Sequence, residues 1–417
     1  MKIEHEALSR KNRFQIMFYA LLIGLLAGAI SIVFHVVLSF SKNAVQGLIA
    51  YSRPLVLLLP FIVYGFLYFS ERLFTPGNTA FGAQAVEREL NDIDRQLMKP
   101  NGVILKVVNT IIALTSGFAV GQFGPTLHIG GAIGSNVGYY FKFSKSVIRA
   151  LIGCGVAAAI SAIMQTPLFA TIFVIEVIFA KRYFDYMLPV LLSSLVAYLL
   201  NYNALGDNRI FDLSKIVQSV DVTEEYWISM VIFAVLMGLM AVVYIYALSY
   251  FEKALKPHKQ KLSIYLMLAS AFALLYYLFP LAHYSELADI LDLIGRADGL
   301  MWLLFLLIAR LLATALQLGS GVYGGNFSPG LTIGFIFGAL INALLERFAN
   351  MQMAVDYWLP LSAVAIFSGF AHAPISAVVL AVELTGSASL LVPALFVALI
   401  SHMVCDLIVG ESIYTLK

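Results

Sequence analysis

Long uncharged stretches alternate with short polar connectors along nearly the whole chain. Those at 14–40, 107–141, 150–175, 226–251, 262–285, 311–345 and 357–382 reach or exceed the roughly 20 apolar residues that a helix needs to cross hydrocarbon. Shorter stretches at 54–69, 186–206 and 384–405 are further spans. The runs lack the weak, alternating segments of about 10 residues that mark a transmembrane barrel. The pattern predicts an all-α, polytopic helical membrane protein. Its first stretch follows MKIEHEALSRKNR without a small-residue cleavage site, so it reads as a span and not as a removed signal.

Composition agrees with the pattern: 61% of residues are hydrophobic, 12% are charged, and mean hydropathy is +0.88. A soluble domain carries about twice that share of charge. The net charge of +2 comes with no basic stripe, so a nucleic-acid partner is not expected; membrane lipid is. Lys2, Arg10, Lys11 and Arg13 precede the first span and favour a cytoplasmic N-terminus. A bacterial-type inner membrane is the expected location. Cys154 and Cys405 lie in apolar stretches with no metal-ligand spacing and read as packing residues.

Within this pattern one motif is written twice. GQFGPTLHIGGAIG at 121–134 and GNFSPGLTIGFIFG at 325–338 both fit G-x-F-x-P-x-L-x-I-G-x-x-x-G, so Phe123 falls on Phe327 and Pro125 on Pro329. Further on, TPLFATIFVIE ends at Glu176 and APISAVVLAVE at Glu383, at the same distance from Pro167 and Pro374. The expected organisation is a first membrane repeat over 14–205 and a second over 226–417, with no cytosolic regulatory domain. Two such halves in an apolar chain are the signature of a transporter whose site lies at the repeat interface.

Each motif interrupts an uncharged stretch of 35 residues with Gly and Pro. This predicts a broken helix, with a new helix starting near Pro125 or Pro329, because proline fits the first turn where its missing N–H has no partner to lose. A helix start inside the membrane leaves N–H groups that need a satisfier. The helix dipole makes an anion the natural one. The competing reading, close packing through small residues, suffices for one copy but does not require proline at the same offset in two. Both 35-residue stretches lack Lys and Arg, so the expected ligands are backbone amides.

Glu176, Arg310 and Glu383 interrupt apolar stretches and must be paired or face water. The matched placement of Glu176 and Glu383 favours a structural task for both. His128 and His372 titrate near neutral pH in ordinary surroundings, although a hydrogen-bonded core histidine is the commoner case. No H-E-x-x-H, G-x-S-x-G or P-loop is present, so enzymatic catalysis is not expected and no cofactor is implied.

These residues carry a resemblance to the CLC chloride channels and chloride/proton antiporters. GQFGPTLHIGGAIGS resembles their G-[KR]-E-G-P region and GSGVYGGNFSPGLTIG their G-G-x-F-x-P region. TPLFATIFVIE and HAPISAVVLAVE resemble the family's paired buried helices, and SIYTLK its pore-tyrosine segment. The resemblance runs from about residue 14 to 417. It implies a CLC-type fold of two inverted-topology repeats with broken helices, a homodimer, and chloride or another small anion as substrate. Carried over by position, it implies anion ligands at Asn78, Gln122, Phe123, Gly124, Gly325, Asn326, Phe327 and Tyr414. Asn78 stands in GNTAF, the segment that matches the family's G-S-G-x-P loop.

Two positions depart from the family. The gating glutamate is replaced by Phe123, and the proton-relay glutamate by Val177. The expectation that follows is passive, channel-like anion conduction without obligatory proton coupling, with Phe123 as an apolar constriction. The alternative is a chloride/proton antiporter whose proton carrier has moved, to Glu176 or His128. An organic-anion carrier stands further off.

Overall fold

The structure, a computed structural model, describes residues 10–74, 81–180, 184–209, 213, 224–258, 261–278, 294, 299–350 and 354–414. Helices dominate: α1 Arg10–Tyr51, α2 Leu59–Phe74, α3 Gly82–Asn91, α4 Pro100–Thr115, α5 Phe123–Tyr140, α6 Lys145–Met164, α7 Pro167–Phe173, α8 Met187–Leu205, α9 Glu224–Leu255, α10 Leu262–Leu278, α11 Leu300–Gly319, α12 Phe327–Ala349, α13 Val355–Ala371, α14 Pro374–Thr385 and α15 Leu391–Val409. Among the described residues eight helices are long and apolar enough to span a membrane, and extended pairing is confined to one bridge between Gly121 and Gly325. The chain is a multi-pass, helical integral membrane protein.

The two predicted breaks are present. Stretch 107–141 divides into α4, ending at Thr115, and α5, starting at Phe123; stretch 311–345 divides into α11, ending at Gly319, and α12, starting at Phe327. Pro125 and Pro329 are each the third helical residue, inside the first turn.

Two further stretches, 150–175 and 357–382, read as single spans from sequence but are broken too. Gln165 and His372 adopt the left-handed conformation, φ 55° and 53°, and close α6 and α13. The next residues, Thr166 and Ala373, leave the helical region, with φ −126° and −129°, as a residue before proline tends to. Pro167 and Pro374 then open α7 and α14. Neither corner uses glycine, which is why the stretches looked continuous.

The chain forms two compact units. One comprises residues 1–36, 80–104 and 125–209; the other comprises 37–79, 105–124 and 210–417. These units cut across the repeats 14–205 and 226–417, which remain a division of the sequence. In the first unit α6 is almost wholly buried, and its small residues let neighbours approach. A Cβ on Gly130 of α5 would overlap the Gly155 carbonyl of α6. Ser193 Oγ donates to the Cys154 carbonyl at 3.0 Å and Ser161 Oγ to the Ser194 carbonyl at 2.9 Å, tying α6 to α8. Glu89 of α3 is fully buried. It accepts from Ser135 Oγ at 2.5 Å and from the Leu97 and Met98 N–H groups at 2.7 and 3.1 Å. Burial raises its pKa, against these donors.

The second unit repeats the same devices. A Cβ on Gly338 of α12 would overlap the Ser362 hydroxyl of α13. Ser401 Oγ donates to the Ala365 carbonyl at 2.6 Å and Ser368 Oγ to the Ala398 carbonyl at 2.7 Å, joining α13 to α15. Such contacts replace the hydrophobic drive that lipid removes. Cys154 and Cys405 are buried free thiols.

Candidate anion site

The helices that lead into the motif copies end in the same way. Gly117, φ 76°, donates its N–H to the Leu114 carbonyl at 3.1 Å, and Phe118 donates to the Ala113 carbonyl at 3.1 Å. Gly321, φ 97°, donates to the Leu318 carbonyl at 3.1 Å, and Val322 to the Gln317 carbonyl at 3.2 Å. Each pair is a Schellman closure with glycine at the left-handed position. The polypeptide leaves α4 and α11 extended, with its terminal carbonyls satisfied.

The two extended segments then pair. Gly121 donates to the Gly325 carbonyl and Gly325 to the Gly121 carbonyl, both at 2.7 Å. Contact is so close that a Cβ on Gly124 would stand 2.7 Å from the Gly325 Cα; only glycine fits. The pairing also commits the Gly325 N–H, expected from the resemblance to serve as an anion ligand, to the protein itself.

Immediately past the bridge, α5 and α12 start at Phe123 and Phe327. Their rings stack, with centroids 4.2 Å apart and planes 22° apart, and both are buried. The first N–H groups of a helix point out of its start. Those of Gln122, Phe123 and Gly124 and of Asn326 and Phe327 thus stand around one aromatic pair. Asn326 is held from behind, because Tyr244 Oη donates to its carbonyl at 2.7 Å.

Aromatic contacts continue from this pair. Phe327 meets Phe367 at 5.0 Å, Phe367 meets Phe370 at 5.6 Å, and Phe370 meets Tyr244 at 5.4 Å. The Ile413 N–H donates to the Phe370 carbonyl at 2.9 Å, which fixes the final described segment against the end of α13. Tyr414 is thereby buried, 7% exposed, within electrostatic range of Tyr244. A membrane-interface tyrosine would be more open.

A basic side chain stands beside the segment that leads into the second motif copy. Lys106, one residue before the uncharged stretch, is 3% exposed, and its Nζ lies 5.8 Å from the Tyr323 ring. A second polar support was also missed. Gln317 Oε1 accepts from the Ala119 N–H at 2.6 Å, and its Nε2 donates to Tyr276 Oη at 2.7 Å. A glutamine and a tyrosine inside apolar spans were the available signals, since each must find a partner there.

The remaining candidates are placed as follows. Asn78 lies outside the described residues. Arg310 is buried in α11 and within electrostatic range of Tyr276. Glu383 sits in the last turn of α14. In the other unit, Glu176 is buried in a π-helical turn, Val174–Ile178, beside the half-buried Val177. His128, also there, is buried with its ring 5.0 Å from Phe81. Among the described residues no three His, Cys, Asp or Glu side chains gather to hold a metal.

Comparison with known proteins converges with this geometry. Residues 67–406 match the family model described as "Voltage gated chloride channel". An H(+)/Cl(−) exchange transporter ClcA of Vibrio cholerae is 25% identical over 425 residues, covering 97% of this chain and 89% of that protein. The same-named protein of Salmonella agona is 25% identical, covering 97% of this chain and 88% of that one. A slow cyanobacterial Cl−/H+ antiporter superposes with a TM-score of 0.83 at 21% identity, over 96% of each chain. A CLC-type fluoride/proton antiporter gives 0.81 at 20%, over 98% of each chain. At these identities the superpositions establish the fold, which is that of CLC transporters.

Proposed function

The chain belongs to the voltage-gated chloride channel family, and from that premise we propose that it moves chloride across the membrane in exchange for protons. The observation that carries the anion half is the meeting of two helix N-termini at Phe123 and Phe327, which concentrates amide donors and two positive dipole ends at one place. The amides of Gln122, Phe123, Gly124, Asn326 and Phe327 are its ligands, with the Tyr414 hydroxyl and the Asn78 amide as side-chain donors. Lys106 adds long-range attraction for the anion. Gly325 serves as the bridge that holds the two starts together. The protein works as a homodimer in a bacterial inner membrane, each subunit with its own pathway.

The exchange half is supported by relatives named as H(+)/Cl(−) exchange transporters that align over nearly all of this chain. They favour the antiporter alternative over the uncoupled conduction expected from sequence. Phe123 and Val177 hold no proton, so the carrier must be elsewhere in the chain. A second reading, passive conduction, is favoured by one observation: a hydrocarbon ring, stacked on Phe327, at the position where a carboxylate would gate.

Purified protein in sealed liposomes, given an outward chloride gradient and monitored with a chloride electrode and an internal pH dye, separates the two. Exchange predicts uphill proton movement in fixed ratio to chloride. Chloride efflux with no proton movement contradicts exchange and supports conduction.

A further inference from the structure

The left-handed corners at Gln165 and His372 occupy equivalent places, each two residues before the proline that opens the next short helix. In the first repeat the corner is secured by neutral amide chemistry. Gln165 Nε2 donates to Asn201 Oδ1 at 2.6 Å and to the Gly206 carbonyl at 2.7 Å, tying it to the end of α8. In the second repeat the corresponding tie, from the corner to the last turns of α15, is made of titratable groups. His372 Nδ1 lies 3.5 Å from Asp406 Oδ1, and its ring stands 5.1 Å from that of His402 at 78°. The amide corner shows that the turn needs no ionisable side chain, so the second corner's acid and base have another use.

The two ring nitrogens of His372 face different surroundings. Nδ1 faces a carboxylate whose side chain is 54% exposed, three residues from the end of a membrane-length helix. Nε2 is buried and has no hydrogen-bond partner among the described residues. An orphaned polar atom of this kind carries a desolvation penalty that a structural histidine ordinarily avoids. An imidazole with one nitrogen on a carboxylate and the other buried without a partner is built to hold a proton rather than only to pack. It gains a proton at one ring nitrogen, becomes an imidazolium facing the Asp406 carboxylate, and returns to the neutral ring when it gives up that proton.

The groups acting on His372 electrostatically are His402 and Asp406 of α15. Cys405, also on α15, adjoins Asp406. α9 brings Tyr244, which is close to Tyr414. On α14, Glu383 lies at the opposite end from the corner. The backbone of Phe370, two residues before His372, holds the Ile413–Tyr414 segment, and its ring belongs to the aromatic series leading to Phe327. The corner is thus physically continuous with the candidate anion site inside one unit.

We propose that His372, with His402 and Asp406, is a proton-binding station of the transport cycle. This rests on the exchange reading, for which it supplies a carrier. The test is the liposome measurement repeated with His372→Asn and Asp406→Asn in the full chain. Asparagine tolerates the left-handed conformation and cannot take up a proton. Protons moved per chloride are expected to fall by about tenfold or more in His372→Asn, a typical share for a positioned proton-transfer group, and to fall less in Asp406→Asn. Chloride flux should stay near the wild-type rate, which also reports intact folding. A wild type that exchanges and a His372→Asn variant that exchanges in the same ratio overturns the station alone. A wild type that moves chloride without protons overturns the exchange reading, and the station with it.

Discussion

Phe123 is the residue at which chemistry and family pattern part. Its ring stacks on Phe327 beside the helix starts, and in the proposed function it obstructs the path without competing for the anion. Phe123→Ala should therefore raise chloride flux by roughly tenfold, about 1.4 kcal/mol off the barrier, measured as efflux from liposomes; an intact variant with unchanged or lower flux counts against the constriction. Phe123→Glu should make flux fall as pH rises through the new carboxyl's titration. The charged form is the one that occupies an anion site at two helix starts. Flux independent of pH in that variant contradicts amides aimed at this position. The likeness of Phe123 and Phe327 was plain in the sequence because both copies keep the same offset to proline. Mutual use of the Gly121 and Gly325 N–H groups was not, since backbone pairing between segments about 200 positions apart leaves no trace in residue type. Lys106 escaped notice because it stands one residue outside the uncharged stretch and is buried only by its fold.

At the scale of elements, the helix breaks at 116–122 and 320–326 were legible because Gly and Pro mark both. Those at Gln165 and His372 were hidden, because a non-glycine residue took the left-handed corner. The doubled G-x-F-x-P-x-L-x-I-G-x-x-x-G motif leaves a choice between packing and function, and the structure divides it between the two. Its early residues build the helix start, while Gly130 and Gly338 seat α5 and α12 on their neighbours. Gly130→Ala should consequently destabilise the protein, with the melting temperature in detergent falling measurably below wild type, because its methyl would overlap the Gly155 carbonyl and crowd Ala159 Cβ of α6. Gly47→Ala, where nothing lies within 4 Å, is the control and should melt as wild type. Equal melting of the two variants removes the packing explanation.

For the whole molecule, hydropathy alone gave the membrane class, and the doubled motif gave the broken helices. The compact units could not be read from sequence, because one of them takes residues 37–79 and 105–124 from the first repeat, and repeat boundaries say nothing of such an exchange. The loss of carboxylates at 123 and 177 speaks to where a proton is not carried, whereas relatives named as exchangers and the His372 corner speak to whether and where it is. All of this depends on the anion sitting ahead of α5 and α12. The most direct measurement is diffraction from crystals grown in bromide, recorded at the bromine absorption edge. An anomalous peak is expected against the amides of Gln122–Gly124 and Asn326–Phe327, beside the stacked rings. Bromide bound elsewhere in the protein, with none at these helix starts, would contradict it.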